Sequence, residues 1–177
     1  MTGKGHRIVT FMAVGGVTGS PLAAALSSIS STLPDSLEYL LFGSARNRCH
    51  RGITHWFIPW LGMAAFCFYS AMLPPESEDG VEGFLNGIVP RAADIAAGDW
   101  RFAWACAAFC FLGPLMHIIE DAFFGKVPFL FPWRRSVGIH LFRASSTGVT
   151  MIYGERIFTF IVCLFSLAAW FGRGLVI

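Results

Sequence analysis

The chain has 177 residues, of which 55% are hydrophobic and only 14% are charged. A soluble domain carries roughly 25% charged residues, so this composition is typical of a membrane protein. The net charge of +2 is small and scattered, which argues against a nucleic-acid partner. The five cysteines form no CxxC pair, which argues against a secreted disulfide scaffold.

The first apolar segment, residues 8–33, is interrupted in its middle by the stretch VGGVTGSP. Glycine and proline break an apolar helix unless packing compensates for the lost backbone hydrogen bonds. We therefore predict two shorter helices, at about 6–14 and 21–32, joined by a turn. Such a pair would enter and leave the membrane on one side, as a re-entrant helical hairpin.

Three later segments are apolar over the roughly 20 residues that a membrane span needs. They lie at about 53–73, 101–123 and 157–177. No internal repeat or polar linker divides the chain, so we expect a single domain over residues 1–177. The predicted fold is an all-α integral membrane helical bundle, with three full spans and the N-terminal hairpin.

The charges orient these elements. Residues 74–99 contain six acidic residues and one arginine, whereas the stretches 1–7, 44–52 and 126–156 contain ten basic residues and one acid. Basic loops face the cytoplasm in membrane proteins, so these three stretches are predicted to be cytoplasmic. A straight crossing by residues 8–33 would separate two of them, and the hairpin removes that conflict.

Most of the histidines and several carboxylates fall at the predicted cytoplasmic end. His6 and Asp35 would lie about 43 Å apart along one straight helix, but the hairpin brings them to one side. His117 and Asp121, in the stretch HIIED, share one helical face because they are four residues apart. The full set is His6, Asp35, His50, His55, His117, Asp121 and Glu155.

Imidazole and carboxylate groups together are suitable ligands for Zn²⁺ or a similar divalent cation. Seven such groups exceed the need of one tetrahedral ion, so the set could hold one ion or two, with Asp121 or Asp35 as a bridge. The alternative is that each is an ordinary interfacial or packing residue, which is the usual role of a single histidine at a membrane boundary. Convergence of the whole set favours the metal site, because ionisable groups near membrane depth are costly.

Three neighbours of the set have open roles. Arg51 stands between two candidate ligands and could hold a phosphate or carboxylate oxygen, or could equally form an ion pair with Asp35 or Glu38. Glu38 and Glu120 are interpreted as partners of a ligand or as solvated groups.

His50 and His55 are five residues apart, so they could share a site only if the helix starts near residues 52–54 and leaves His50 in a loop.

Several motifs resemble one bacterial family. An early GH, LPD after the first apolar stretch, HRGITHW and GPLMHIIEDAFFGKVPFLFPW resemble the LexA-regulated, inner-membrane metal-dependent hydrolases, a family distantly similar to zinc-dependent phospholipase C. The resemblance runs from Gly5 to about Glu155. It implies metal ligands at His6, Asp35, His50, His55, His117 and Asp121, with Glu155 as a ligand or general base.

The resemblance implies a protein of the bacterial inner membrane, and the hydropathy and charge patterns predict that it is multi-pass with its site facing the cytoplasm. We expect a metal-dependent hydrolase that cleaves a phosphoester or related bond of a lipid-like substrate, with Arg51 as a clamp for the developing negative charge. The alternative is a non-catalytic membrane scaffold in which a metal ties helices together. An ion transporter is less favoured, because the middles of the spans carry almost no ionisable residues.

Overall fold

The computed structural model describes residues 2–43, 52–73, 100–128, 136–138 and 149–174. Most of these residues are helical. The helices are α1 (Gly3–Thr18), α2 (Pro21–Ser30), α3 (Leu33–Phe42), α4 (Phe57–Met72), α5 (Trp100–Phe124) and α6 (Val149–Gly174). A 3₁₀ turn over Ile53–His55 precedes α4.

The N-terminal region is the predicted pair of short helices joined by a turn. Gly19 ends α1 in the left-handed conformation, at φ 70°, which glycine adopts without a steric penalty. Ser20 then caps α2, and Pro21 occupies its first turn. The two helices lie side by side and antiparallel, and the Ser28 hydroxyl donates to the Arg7 carbonyl at 2.9 Å. The chain therefore doubles back early, as the sequence predicted.

Two glycines allow close packing of this hairpin against the longer helices. A Cβ on Gly16 would lie 2.8 Å from the Cα of Ser166, so α1 and α6 approach each other closely. A Cβ on Gly113 would overlap the carbonyl oxygen of Ser27, and the Ser27 hydroxyl donates to the Phe109 carbonyl at 2.9 Å. Small residues at helix contacts are typical of membrane bundles.

Helices α4 and α5 form an antiparallel pair held by aromatic contacts. The rings of Trp60 and Phe111 have centroids 6.3 Å apart, and those of Phe66 and Trp104 meet edge-on at 5.4 Å. The indole N–H of Trp60 also donates to the carbonyl of Thr54 at 2.9 Å. This last bond ties the 3₁₀ turn to the first turn of α4.

Two helices are long and apolar enough to cross a membrane. They are α5 and the portion Gly154–Gly172 of α6. Only 11% of the latter window is buried inside the protein, so most of its apolar surface faces outward. These two helices match the spans predicted at 101–123 and 157–177.

The third predicted span, at 53–73, is not confirmed as a full crossing. Its first residues form the 3₁₀ turn, the chain is extended at Trp56, and the α-helix that follows has 16 residues. At 1.5 Å per residue that helix is about 24 Å long, shorter than the roughly 30 Å hydrocarbon core.

A short β-ladder follows α5. Val127–Pro128 (β1) pairs with Ser136–Val137 (β2) in antiparallel register, Val127 opposite Val137. The sequence did not predict this ladder, because two-residue strands are too short to produce an alternating pattern. The residues that connect the two strands, 129–135, lie outside the described residues.

The helix directions bring several helix ends to one end of the bundle. Helix α1 runs antiparallel to α5, so that His6 lies near Glu120 while Val14 packs with Ala23 and Phe109 in the apolar core. Helix α1 runs parallel to α6, with Thr2 bonded to Glu155 near their starts. The starts of α1, α3 and α4 therefore meet the C-terminal part of α5.

Candidate metal centre

Five of the predicted ligands meet at this polar end, and they form two overlapping triads. One triad is His6, His117 and Asp121, and the other is Asp35, His55 and His117. In each triad one potential ligand atom per residue lies within 4.8 Å of the others. His117 belongs to both triads, so it is the centre of the cluster.

Local structure fixes where each side chain starts. Thr2 caps α1 by accepting from the Gly5 N–H, and His6 follows in the first turn and a half. Asp35 lies in the first turn of α3, directly after Pro34. His55 is the last residue of the 3₁₀ turn that Trp60 anchors. The cluster is thus assembled from four separate elements.

The closest approaches among the five side chains involve imidazole nitrogens and carboxylate oxygens, which are good metal ligands. Nε2 of His55 lies 3.2 Å from Nε2 of His117. Nε2 of His6 lies 3.4 Å from Oδ1 of Asp121, whereas Oδ2 of Asp121 lies 3.9 Å from Nε2 of both His55 and His117. The Asp121 carboxylate therefore has one oxygen toward each part of the cluster, as a bridging carboxylate would.

Glu120 sets the orientation of the His6 ring. Its Oε2 accepts from Nδ1 of His6 at 2.6 Å, and its Oε1 accepts from the Thr10 hydroxyl at 3.0 Å. With the proton on Nδ1, Nε2 of His6 presents its lone pair to Asp121. A histidine that ligates a metal almost always donates its other N–H to a carboxylate or carbonyl in this way.

Nε2 of His6 faces a carboxylate oxygen of Asp121 at 3.4 Å, and either a proton on Nε2 or a cation between the two atoms makes this contact favourable. Ligands at Zn–N distances of 2.0–2.1 Å in a tetrahedron lie about 3.3 Å apart, so this spacing fits a bound cation. Nδ1 of His117 is also buried, and within the described part of the chain it has no hydrogen-bond partner.

The electrostatics of His6 favour positive charge in the same place. Burial lowers the pKa of His6, but the hydrogen bonds and negative charges of Asp121 and Glu120 outweigh burial, so the pKa lies above its ordinary value of 6.5. The carboxylates therefore stabilise either a proton or a metal cation on this ring.

Burial differs across the cluster. The side chains of His6, His55, His117 and Asp121 are at most 3% exposed, whereas that of Asp35 is 24% exposed. Among the five residues, Asp35 alone borders the solvent.

The remaining predicted site residues lie elsewhere or outside the described residues. His50 and Arg51 lie outside the described residues. The 3₁₀ turn starts at Ile53, within the range 52–54 at which a shared His50–His55 site requires a helix to start. Glu155 belongs to neither triad. Its carboxylate accepts from the backbone N–H of Thr2 at 3.1 Å and from the Thr2 hydroxyl, so Glu155 fixes the start of α1. Its predicted role as ligand or base stays a prediction.

Sequence reasoning left Glu120 open and missed Thr10 and Thr54. Glu120 is 1% exposed and hydrogen-bonded to His6, so it is a partner of a candidate ligand and not a solvated group. Thr10 is one helical turn after His6, a spacing that places both on one face of α1. The Thr54 hydroxyl lies 3.1 Å from Nδ1 of His55, and no pattern in the sequence distinguishes this threonine.

Apolar helices of spanning length, with a buried cluster of histidine and aspartate at one end, define a helical membrane protein with a candidate metal centre. The chain belongs to the YdjM inner membrane protein family, whose family model matches residues 1–176. The family places the chain in an inner membrane, as the sequence predicted. Neither a search of curated proteins nor a search of solved structures gives a match.

Proposed function

We propose that the protein is a membrane-bound, metal-dependent hydrolase that cleaves a phosphoester or related bond of a lipid-like substrate at the cytoplasmic face. The observation that carries the proposal is the pair of largely buried triads that share His117, in each of which the potential ligand atoms lie within 4.8 Å of one another. A cluster of this kind is expensive to bury unless a cation compensates it.

One or two divalent ions, most suitably Zn²⁺, would be held by the five assembled residues. His6, His117 and Asp121 would form one set, and Asp35 and His55 would complete the other with a shared His117 or Asp121. His50 is a further proposed ligand, and Arg51 a proposed clamp, next to the 3₁₀ turn. When bound, such an ion lowers the pKa of a water molecule and neutralises charge on a phosphoryl group.

The protein's own residues would then position the reaction. Glu120 holds His6 in the tautomer that leaves Nε2 available, and the Thr10 hydroxyl holds Glu120 in turn. The exposed edge of Asp35 marks the side from which substrate would approach. The buried side of the cluster excludes water, which strengthens the interaction of charged groups with substrate.

The membrane arrangement supports a lipid-like substrate. The cluster contains His117 and Asp121 near the end of α5, and the start of the spanning portion of α6 lies at the same end of the bundle, on the other side of α1. Under the positive-inside rule, the basic stretches would put that end at the cytoplasmic surface. With the N-terminal hairpin as a re-entrant element, the headgroup of a lipid would lie at the level of the cluster.

A second candidate is a non-catalytic scaffold with a structural metal. The near-complete burial of His6, His55 and His117 favours it, because structural sites are closed whereas catalytic sites keep an open position. In that case the metal would stabilise the fold without supporting turnover.

Activity and metal content measured together separate these candidates. The purified protein in detergent, loaded with Zn²⁺, is assayed with a chromogenic phosphodiester and with labelled phospholipids. We expect turnover by the wild type and its loss in His117→Ala together with the metal. Bound metal without turnover on any phosphoester would support the scaffold, and turnover that survives in metal-free His117→Ala would contradict the hydrolase proposal.

A further inference from the structure

A groove lies between α1 and α6, on the side of α1 that faces away from the metal cluster. Its volume is about 460 Å³, and it is open along one side. Lys4 and Ile8, which line it, are turned about 160° around α1 from His6. The groove is therefore distinct from the cluster.

The lining of the groove is polar at one end and apolar along its length. Arg156, Phe160 and Cys163 follow one face of α6 at spacings of four and three residues, and Lys4 and Ile8 follow α1 in the same direction. Because the two helices run parallel, both cations lie at the same end, and the apolar side chains lie one turn or more beyond them. Ile8 and Phe160 are 50% and 63% exposed.

The charge balance at the polar end is positive. Lys4 and Arg156 are exposed, and neither has an ion-pair partner among the described residues. Glu155 is the one carboxylate in the lining, and it already accepts two hydrogen bonds from Thr2. Two cations against one carboxylate leave a net charge of +1 beside an apolar channel.

We propose that this groove binds one anionic phospholipid of the surrounding membrane, with its phosphate between Lys4 and Arg156 and an acyl chain along Ile8 and Phe160. The occupant follows from the position: the groove opens on α6, whose spanning portion is only 11% buried and so faces lipid. Cations at the start of such a helix lie at the level of the phosphate groups. A single phosphate satisfies both cations, and a chain covers the apolar surface that α1 and α6 leave open.

The lipid site is connected to the metal cluster through Thr2 and the start of α1. Thr2 lines the groove, bonds Glu155 and caps the helix that carries His6. A lipid bound here would stabilise the start of α1 without contacting any candidate ligand. A failure of the lipid-site proposal can be distinguished from a failure of the hydrolase proposal, because the metal content of the groove variants is expected to stay at the wild-type value.

The test is native mass spectrometry of the full chain in detergent, titrated with dioleoyl phosphatidylglycerol and, separately, with dioleoyl phosphatidylcholine. We expect the wild type to retain one phosphatidylglycerol preferentially. Lys4→Gln and Arg156→Gln should each weaken retention about fivefold, and the double variant about 25-fold. Arg7→Gln is the matched control, since Arg7 lies on the same helix, is exposed, and bonds Thr32 outside the groove.

Three results would overturn the proposal: equal retention of both lipids by the wild type, full retention by the double variant, or an equal loss in Arg7→Gln. Should the double variant not fold, Phe160→Ala and Phe165→Ala decide the matter. Both side chains are exposed on α6, at 63% and 74%, but only Phe160 lines the groove. Retention should fall in the first variant alone, and an equal effect of both variants would refute the site.

Discussion

Replacing Glu120 with glutamine tests whether the cluster binds metal through an oriented histidine. The carboxylate accepts from His6 at 2.6 Å and from Thr10 at 3.0 Å, and its residue is 1% exposed. Glutamine keeps the shape but removes the negative charge, so the His6 ring becomes less basic and less firmly held. Substitutions of such carboxylates typically cost about 10- to 100-fold in metal affinity, or about 1.4–2.7 kcal/mol.

The affinity is measured by competition between the purified protein and a chromogenic zinc chelator in detergent. Thr10→Val is the matched control, because it removes only the outer hydrogen bond to Oε1 and leaves the Glu120–His6 contact in place. We expect a clearly smaller loss in that variant. A folded Glu120→Gln protein with wild-type zinc affinity would refute the role given to this carboxylate, and an equal loss in Thr10→Val would show that the effect is general loosening of α1.

Three further predictions concern packing, metal linkage and topology. Gly113→Ala should destabilise the protein by about 1–3 kcal/mol, because its methyl group would overlap Ser27. In the control Gly62→Ala the new methyl group has no atom within 4 Å, so the melting temperature should stay nearly unchanged. Equal melting temperatures of the two variants would contradict the close α2–α5 contact. Removing zinc with a chelator should lower the melting temperature of the wild type by about 5–10 °C at zinc levels near 100 times Kd, and should have no effect on His117→Ala; a chelator-insensitive wild type would count against bound metal. A phosphatase reporter fused to the C-terminus should be active outside the cytoplasm, while a fluorescent reporter at the N-terminus should fluoresce inside, as the positive-inside rule requires; the reverse pattern would invert the proposed orientation.

The early turn and the gathering of His6 with Asp35 were predictable from sequence. Glycine and proline interrupted the first apolar segment, and the basic stretches on either side of it had to share one membrane face. Both signals are local, and both are strong in this chain. Once the direction of each helix is known, the distance of a residue from the start of its helix gives the end of the bundle at which it lies.

The position of a residue around the bundle was not predictable in the same way. Glu155 lies at the expected end, but α6 packs on the side of α1 that faces away from the cluster, and its carboxylate bonds Thr2 instead. Which face of a helix meets which neighbour depends on close contacts such as Gly16 against Ser166. A single sequence does not encode those contacts as a pattern.

The span predicted at 53–73 is not confirmed, and the reason is a break in the backbone that hydropathy does not detect. Hydropathy averages over a window, so it does not detect a break in backbone direction inside an apolar run. Trp56 is extended, and the preceding 3₁₀ turn holds His55 at the cluster with Thr54 beside it. The residues that shortened the helix are thus the ones that place a candidate ligand.

The most direct test of the central claim is elemental analysis of the purified protein after growth with zinc. We predict one or two ions per chain in the wild type and an equal content in His140→Ala, since His140 is the one histidine of the chain outside the proposed ligand set. His117→Ala, which removes the residue common to both triads, should bind little or no metal. A metal-free wild type, or a His117→Ala protein with the full complement of ions, would contradict the account.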